Sequence, residues 1–359
     1  MARILTLLER RRAARRACAA GTLAAMFVMV SSAVLAHHSA RVTYDMDQVI
    51  EVEGRITSVL WRNPHARFTL RAVDPQGGEA EWNVETIPVT RLTRVGATAE
   101  LFGVGNTVTV AGFPARRPGN DLYAINMLLA DGRELLLDTP VARWTDDTIG
   151  TGEDATPGAA AADASLGIFR VWSTDGSFLQ TETRFISEGG VSRYPLTDAA
   201  RAAQAEWDPL APDNIFRGCT PKGMPQIMQQ PNPIEFVDRG DEILLRMEEF
   251  DTLRVISMTE EAAEPDRLPT LLGHSVGRWE GDTLVVATSG IEWPHFDQNG
   301  LRQSEAIETV GRFSLNDEGS RLDYELTVTD PWLFTEPVVL GKSWRWVPGD
   351  RVLPFECTE

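Results

Sequence analysis

Five histidines carry much of the chemistry this sequence offers: His37, His38, His65, His274 and His295. If the chain is cleaved after Ala36, His37 becomes the N-terminal residue. Its free amine and imidazole then form a chelate, which His38 or His65 completes as a nitrogen-rich metal site suited to Cu(II). The amine loses its proton at little cost, because its reference pKa is about 7.7–8.0. Cleavage after Ala33 would remove that chelate, and a frayed terminus with solvated histidines is the alternative. His65 and His295 each follow a proline near a tryptophan, in Trp61-Arg62-Asn63-Pro64-His65 and Trp293-Pro294-His295. Proline restricts the residue before it and fixes a loop course, and such loops on a β scaffold gather binding residues. Trp–Pro packing that closes a barrel end is the competing reading.

A second set of polar residues falls in the C-terminal half. Arg254, His274, Trp293, His295, Glu305 and Asp330 lie on strands, strand ends or loops, where they could line the mouth of a barrel as a small-molecule site. Arg254, His274 and His295 would orient the ligand. An enzyme is the alternative, with His274 or His295 as general base and Glu305 or Asp330 as its partner. Arg246 and Glu248 share a strand face and read as an exposed ion pair. Gly273-His274-Ser275-Val276-Gly277 fits G-x-S-x-G, but a nucleophile elbow needs a strand-to-helix turn and the flank here is a hairpin. No phosphate-binding loop, dinucleotide fingerprint, H-E-x-x-H, paired C-x-x-C or EF-hand loop occurs.

The elements that must position these residues begin after a leader. Arg3, Arg10, Arg11, Arg12, Arg15 and Arg16 precede an uncharged run from Ala17 to Ala36 that ends Val34-Leu35-Ala36. A basic region, an apolar region and a small-x-small exit make a secretory signal over 1–36; a retained single-span anchor is the alternative. The whole chain has 359 residues, 34 Lys+Arg and 52 Asp+Glu, net −18. Loss of six Arg and one Glu leaves 323 residues with 28 basic and 51 acidic side chains, net −23. Such acidity favours solubility outside the cytoplasm, in the periplasm or beyond. It also argues against a nucleic-acid partner, which needs clustered Lys and Arg. No membrane span is expected after cleavage. Cys219 and Cys357 are the cysteines left, and in an oxidising compartment they predict one disulfide, two free thiols being the alternative.

Composition is that of a globular chain, with 43% hydrophobic and 24% charged residues, and the length suggests about two domains. Residues 37–137 read as an OB-like five-stranded barrel: strands at Val49–Arg62, Arg67–Asp74 and Glu79–Thr86, a short helix at Val89–Val95, then strands at Thr107–Phe113 and Leu122–Leu129. Residues 138–164, acidic and Ala-rich without apolar periodicity, read as a linker. Residues 165–359 show a strand at Ile168–Ser173, a helix capped by Thr197 and a Pro-rich passage. Regular strands follow at Glu242–Glu248, Leu253–Met258, Val276–Trp279, Thr283–Thr288, Glu305–Leu315 and Arg321–Thr329. The alternation of Leu322, Tyr324, Leu326 and Val328 with Asp323, Glu325 and Thr327 marks a half-buried strand. The expected class is all-β, with a lipocalin-like antiparallel barrel or a sandwich in the C-terminal half.

His37-His38-Ser39, the Glu51–Arg62 strand, Asn63-Pro64-His65 and Asp131-Gly132-Arg133-Glu134 resemble a family of exported bacterial proteins with an N-terminal domain of unknown function. The Gly273–Val286 block, around His-Ser-Val-Gly-Arg-Trp-Glu-Gly-Asp-Thr-Leu-Val-Val, is similar to uncharacterised exported bacterial proteins. The resemblance implies export and two β domains, and it implies no activity, so no residue role comes with it. The expected function is therefore an exported small-molecule-binding protein, with copper binding and a C-terminal enzyme as alternatives.

Overall fold

A computed structural model of the chain describes residues 43–73, 78–150, 163–173, 194–208, 211, 214–259 and 268–357. The expected 1–36 leader, His37 and His38 lie outside these residues. The described residues belong to one compact unit.

The first barrel follows from alternation. In β1 (Ile50–Leu60), Val52, Gly54 and Ile56 turn inward while Glu51, Glu53 and Arg55 face out. β1 pairs with β2 (Arg67–Val73) on one side and β4 (Thr107–Pro114) on the other. Gly54 sits where a Cβ would lie 2.8 Å from the Arg71 carbonyl oxygen, so the close approach of β2 requires glycine there. β3 (Glu79–Glu85) continues the sheet beyond β2. β5 (Asp121–Leu128) pairs antiparallel with β4 and parallel with β3, through Asn83–Asp121, Val84–Leu122 and Glu85–Tyr123. That last pairing closes five strands into a barrel, with α1 (Val89–Arg94) between β3 and β4. Strand order and helix position are those expected for an OB-like domain. Ile56, Phe68, Leu70, Phe102, Val110, Leu122 and Met127 fill its core.

The start of the expected linker is part of this barrel. β6 (Glu134–Leu136) pairs with β5, and β7 (Thr148–Ile149) pairs parallel with β6. The buried Glu134 carboxylate accepts the backbone N–H groups of Arg143, Trp144 and Thr145. A buried acid, invisible to apolar periodicity, holds the segment down.

The second barrel has nine strands in sequence order: β8 (Val171–Trp172), β9 (Ile234–Asp238), β10 (Glu242–Met247), β11 (Thr252–Ser257), β12 (His274–Glu280), β13 (Thr283–Ser289), β14 (Glu308–Leu315), β15 (Arg321–Thr329) and β16 (Val338–Arg345). Neighbours are antiparallel except β11 and β12, which run parallel. Ser173, just past β8, exchanges both backbone hydrogen bonds with Arg345 at 2.8 and 2.7 Å, so the barrel nearly closes. Trp172, Phe236, Leu245, Val286, Phe313, Leu326 and Trp344 crowd the interior. Thr197 caps α2 (Asp198–Ala205) as expected, its hydroxyl accepting from the Ala200 N–H.

Arg94, at the end of α1, joins the barrels. It donates to Glu248 (Nη1 to Oε1, 2.8 Å), to Asp350 (Nε to Oδ1, 3.1 Å) and to the Arg351 carbonyl at 2.8 Å. Glu248 is thus fully buried across the interface rather than exposed, and Arg246 pairs instead with Glu235. The C-terminal segment completes the fastening. The Leu353 N–H donates to Glu248, the Phe355 N–H donates to Asp251, and Asn63 of the first barrel donates to the Phe355 carbonyl. Cys219 and Cys357 form the expected disulfide, tying this segment to a loop of the second barrel.

Candidate functional site

A cavity of about 960 Å³ lies where the outer faces of β2, β3 and β5 meet the 216–232 and 249–250 segments of the second barrel. The pleat explains its lining. Val84 and Leu122 point into the barrel core, which turns their neighbours Glu85 and Tyr123 outward into the cleft.

His65 stands at the rim. Its Nδ1 lies 2.7 Å from the Thr86 carbonyl oxygen. A carbonyl only accepts, so Nδ1 carries a proton and donates. Nε2 has no hydrogen-bond partner among the described residues. Glu85 gathers three groups: its Oε1 is 3.5 Å from His65 Nδ1, and its Oε2 is 3.2 Å from Arg67 and accepts from the Tyr44 hydroxyl at 3.3 Å. Tyr123 donates to Asp138 at 2.8 Å, and Arg91 donates to the other oxygen of the same carboxylate at 3.2 Å. Burial, with Glu85 second, raises the Tyr44 pKa. Burial, with Asp138 second, raises that of Tyr123 well above the ordinary 10. Burial also raises the Asp138 pKa, against the opposing pull of Arg91 and the Tyr123 hydrogen bond. The two phenols stay protonated as donors, and His65 joins them in the cleft lining with no described partner on Nε2.

The opposite wall belongs to the second barrel. Lys222 donates to the Gln230 side chain at 2.8 Å and to Glu249, whose other oxygen is buried without a partner. Phe250 and Asp251 follow with φ of 55° and 50°, left-handed values that non-glycine residues seldom adopt. Phe355 holds the turn, its ring centroid 5.0 Å from that of Phe250.

The residues expected to share a site in the C-terminal half are mostly apart. Arg254 is buried, donating to Ser275 and Thr288. His274 Nε2 is bonded to the Leu268 carbonyl at 2.8 Å on the exposed rim. Trp293 and His295 do meet, ring centroids 5.2 Å apart, inside an aromatic group with Trp207 and Phe216. Glu305 is exposed. Asp330 is buried as a turn cap, accepting from the Ser304 hydroxyl and N–H and from the Trp332 and Leu333 N–H groups. Among the described residues no hydrogen bond or ion pair joins His274 or His295 to Glu305 or Asp330. Ser275, the serine of G-x-S-x-G, lies within β12 against Arg254 rather than on a strand-to-helix turn.

Among the described residues, no three His, Cys, Asp or Glu side chains converge as a metal site, and His37 and His38 lie outside them. Of the cleft residues, His65 alone was a candidate in the sequence. Glu85, Tyr44, Tyr123 and Asp138 come together only through barrel closure and the β6 return. The signal available was Glu85 at the outward position of an otherwise regular strand.

Residues 25–122 match a family of unknown function, DUF6152. The match is somewhat more than a quarter of the chain and ends inside β5. It agrees with the resemblance of the N-terminal domain to a family of unknown function. The DUF6152 span includes His65, Glu85 and Tyr44, but it stops one residue before Tyr123 and does not reach Asp138. No curated protein matches the chain.

Proposed function

We propose that this chain is an exported protein that binds a small molecule with an aromatic or apolar body and a polar group, in the cleft between its two barrels. The cleft carries the reading. Its volume of about 960 Å³ suits a drug-sized ligand, and aromatic surface meets many polar and charged side chains along its walls. Phe216, Phe250 and Phe355 supply apolar surface; His65, Arg91, Tyr123 and Lys222 supply donors and an acceptor. The second barrel, crowded by its own aromatic side chains, offers less to a ligand of that size. Export rests on the 1–36 leader and on the disulfide, which suits an oxidising compartment. Among the described residues no helix is long and apolar enough to cross a membrane.

Titration with the aromatic sulfonate dye 8-anilinonaphthalene-1-sulfonate tests the reading on protein whose near-UV circular dichroism is native. One saturable site is expected. Ser58→Trp, which places bulk at the exposed cleft edge of β1, should weaken it at least about tenfold. Unsaturable binding, or unchanged affinity in Ser58→Trp, would remove the cleft as the ligand site.

Copper binding stands as a second reading because the Thr86 carbonyl fixes the His65 tautomer that leaves Nε2 open. It predicts one tight Cu(II) site in protein beginning at His37, weakened by His65→Ala. Absence of tight binding there would end it.

A further inference from the structure

The second barrel holds a charge that none of its described carboxylates neutralises. On β11 the pattern is inverted: Leu253 and Val255 face outward, and Arg254, 2% exposed, faces in. Its Nε donates to the Ser275 hydroxyl at 3.0 Å and its Nη2 to the Thr288 hydroxyl at 2.7 Å. Nη1 reaches only the Met228 sulfur, at 3.8 Å, a weak acceptor. No described carboxylate pairs with it. Burial lowers its pKa, but a guanidinium still keeps its proton in proteins. Two hydroxyls orient around the charge without cancelling it, and an uncompensated buried charge is among the costliest features a fold can carry.

The surroundings are short of partners in the complementary sense. The Tyr324 hydroxyl is buried beside Arg254 and interacts with its guanidinium, and no other group gives it a hydrogen bond. The hydroxyl of Thr309, register partner of Thr288 on β14, has no hydrogen-bond partner. Lys342 is the register partner of Tyr324 on β16 and is itself buried. It donates to the Met228 carbonyl at 3.0 Å and to the Gln230 carbonyl and lies 4.2 Å from the centre of the Trp344 ring, so Met228 touches both cations. The carboxylate that acts on Lys342 is Glu249, already ion-paired with Lys222. Two buried cations, the Tyr324 hydroxyl beside one of them and the unpartnered Thr309 hydroxyl therefore lie together, and among the described residues no carboxylate is reserved to them.

We propose that this part of the second barrel binds a compact monovalent anion, held by the Arg254 guanidinium and the Tyr324 hydroxyl with Lys342 alongside. An anion satisfies the charge and the hydroxyl together, whereas a water molecule satisfies only the hydroxyl. Size follows from the neighbours. Trp172, Phe313 and Trp344 are buried in the same core, which favours a compact anion, a halide or a one- or two-carbon carboxylate. This site shares no residue with the lining of the inter-barrel cleft and stands or falls separately.

Thermal unfolding of the disulfide-intact protein at constant ionic strength tests it, with sodium gluconate replaced in turn by chloride, bromide, formate and acetate. A saturable rise in Tm of about 2–4 °C is expected for the halides, the carboxylates or both, and this separates the two sources. Tyr324→Phe keeps the ring and should weaken the apparent affinity about tenfold; Arg254→Met should abolish the response. A bromide-soaked crystal should show an anomalous peak beside the guanidinium. A Tm change that is unsaturable and equal in Tyr324→Phe, or a crystal with no bromide at Arg254, overturns the proposal.

Discussion

His295 shows how burial alone reassigns a residue. Its ring sits 4.9 Å from that of Phe216, 5.2 Å from Trp293 and 5.8 Å from Trp207. Burial, helped by nearby Arg302, lowers its pKa from 6.5 to about 4. The folded state thus refuses a proton that the unfolded chain accepts between pH 4 and 6.5. His295 then contributes stability that is present above pH 6.5 and lost as pH falls through about 4, amounting to about 3 kcal/mol at most. Asp297 works against it: burial raises its pKa from 3.8 to about 6. Its protonated form is the one the fold favours, so its contribution is complete below about 3.8 and fades as pH rises through 6. The wild-type slope is therefore a compromise, and the difference between proteins is the informative quantity. His295→Phe retains the aromatic packing and costs no bond at Nδ1, which is buried without a partner. It should gain stability relative to wild type as pH falls from 6.5 to 4, read from urea midpoints at several pH values. A constant difference across that range would contradict the aromatic-burial account.

At the scale of elements, alternation made most strands legible. Leu322–Val328 against Asp323–Thr327 marked β15 to the residue, and Val52 and Ile56 marked β1. Two strands of the second barrel escaped for physical reasons. β9 follows directly on the Pro-rich passage, and β16 turns Lys342 inward, which spoils its pattern. The segment after β6 escaped because its anchor is polar. Glu134, fully buried, accepts from Asn126 at 2.7 Å and from three successive backbone N–H groups. Glu134→Ala should cost about 3 kcal/mol, because those donors lose a charged acceptor in a buried place. Limited proteolysis should then cut within 139–149 well before the barrels. Cleavage no faster than wild type would mean that the segment is held by something other than Glu134.

For the whole molecule, the cleft exists because two barrels are held at one angle. Arg94 is the shared clasp, with Glu248 fully buried and Asp350 nearly so on the far side. Arg94→Met strands two carboxylates in the interface and should cost about 3–5 kcal/mol, measured by urea unfolding of the oxidised protein. It should also weaken dye binding in the cleft, since Tyr44, His65 and Tyr123 would no longer face Lys222 and Phe250 at a fixed distance. Unaltered stability would assign the barrel contact to the C-terminal segment and the Cys219–Cys357 bridge instead. That bridge closes 138 residues, a closure worth on the order of 5 kcal/mol in the chain-entropy model.

The amino-acid sequence by itself determined the all-β class, the OB-like strand and helix order, the capped helix at Thr197 and the pairing of Cys219 with Cys357. Each of these follows from local periodicity, a local cap or the simple count of cysteines. Only the tertiary structure decided where the polar groups meet. Glu85, Tyr123 and Asp138 come from three different stretches of the first barrel, and Lys222 and Glu249 from the second, so no spacing along the chain announces them. The same holds for Arg254: its strand is visible in the sequence, but the missing counter-charge is a property of everything packed around it. Periodicity says which way a side chain points, and only packing says what it finds there.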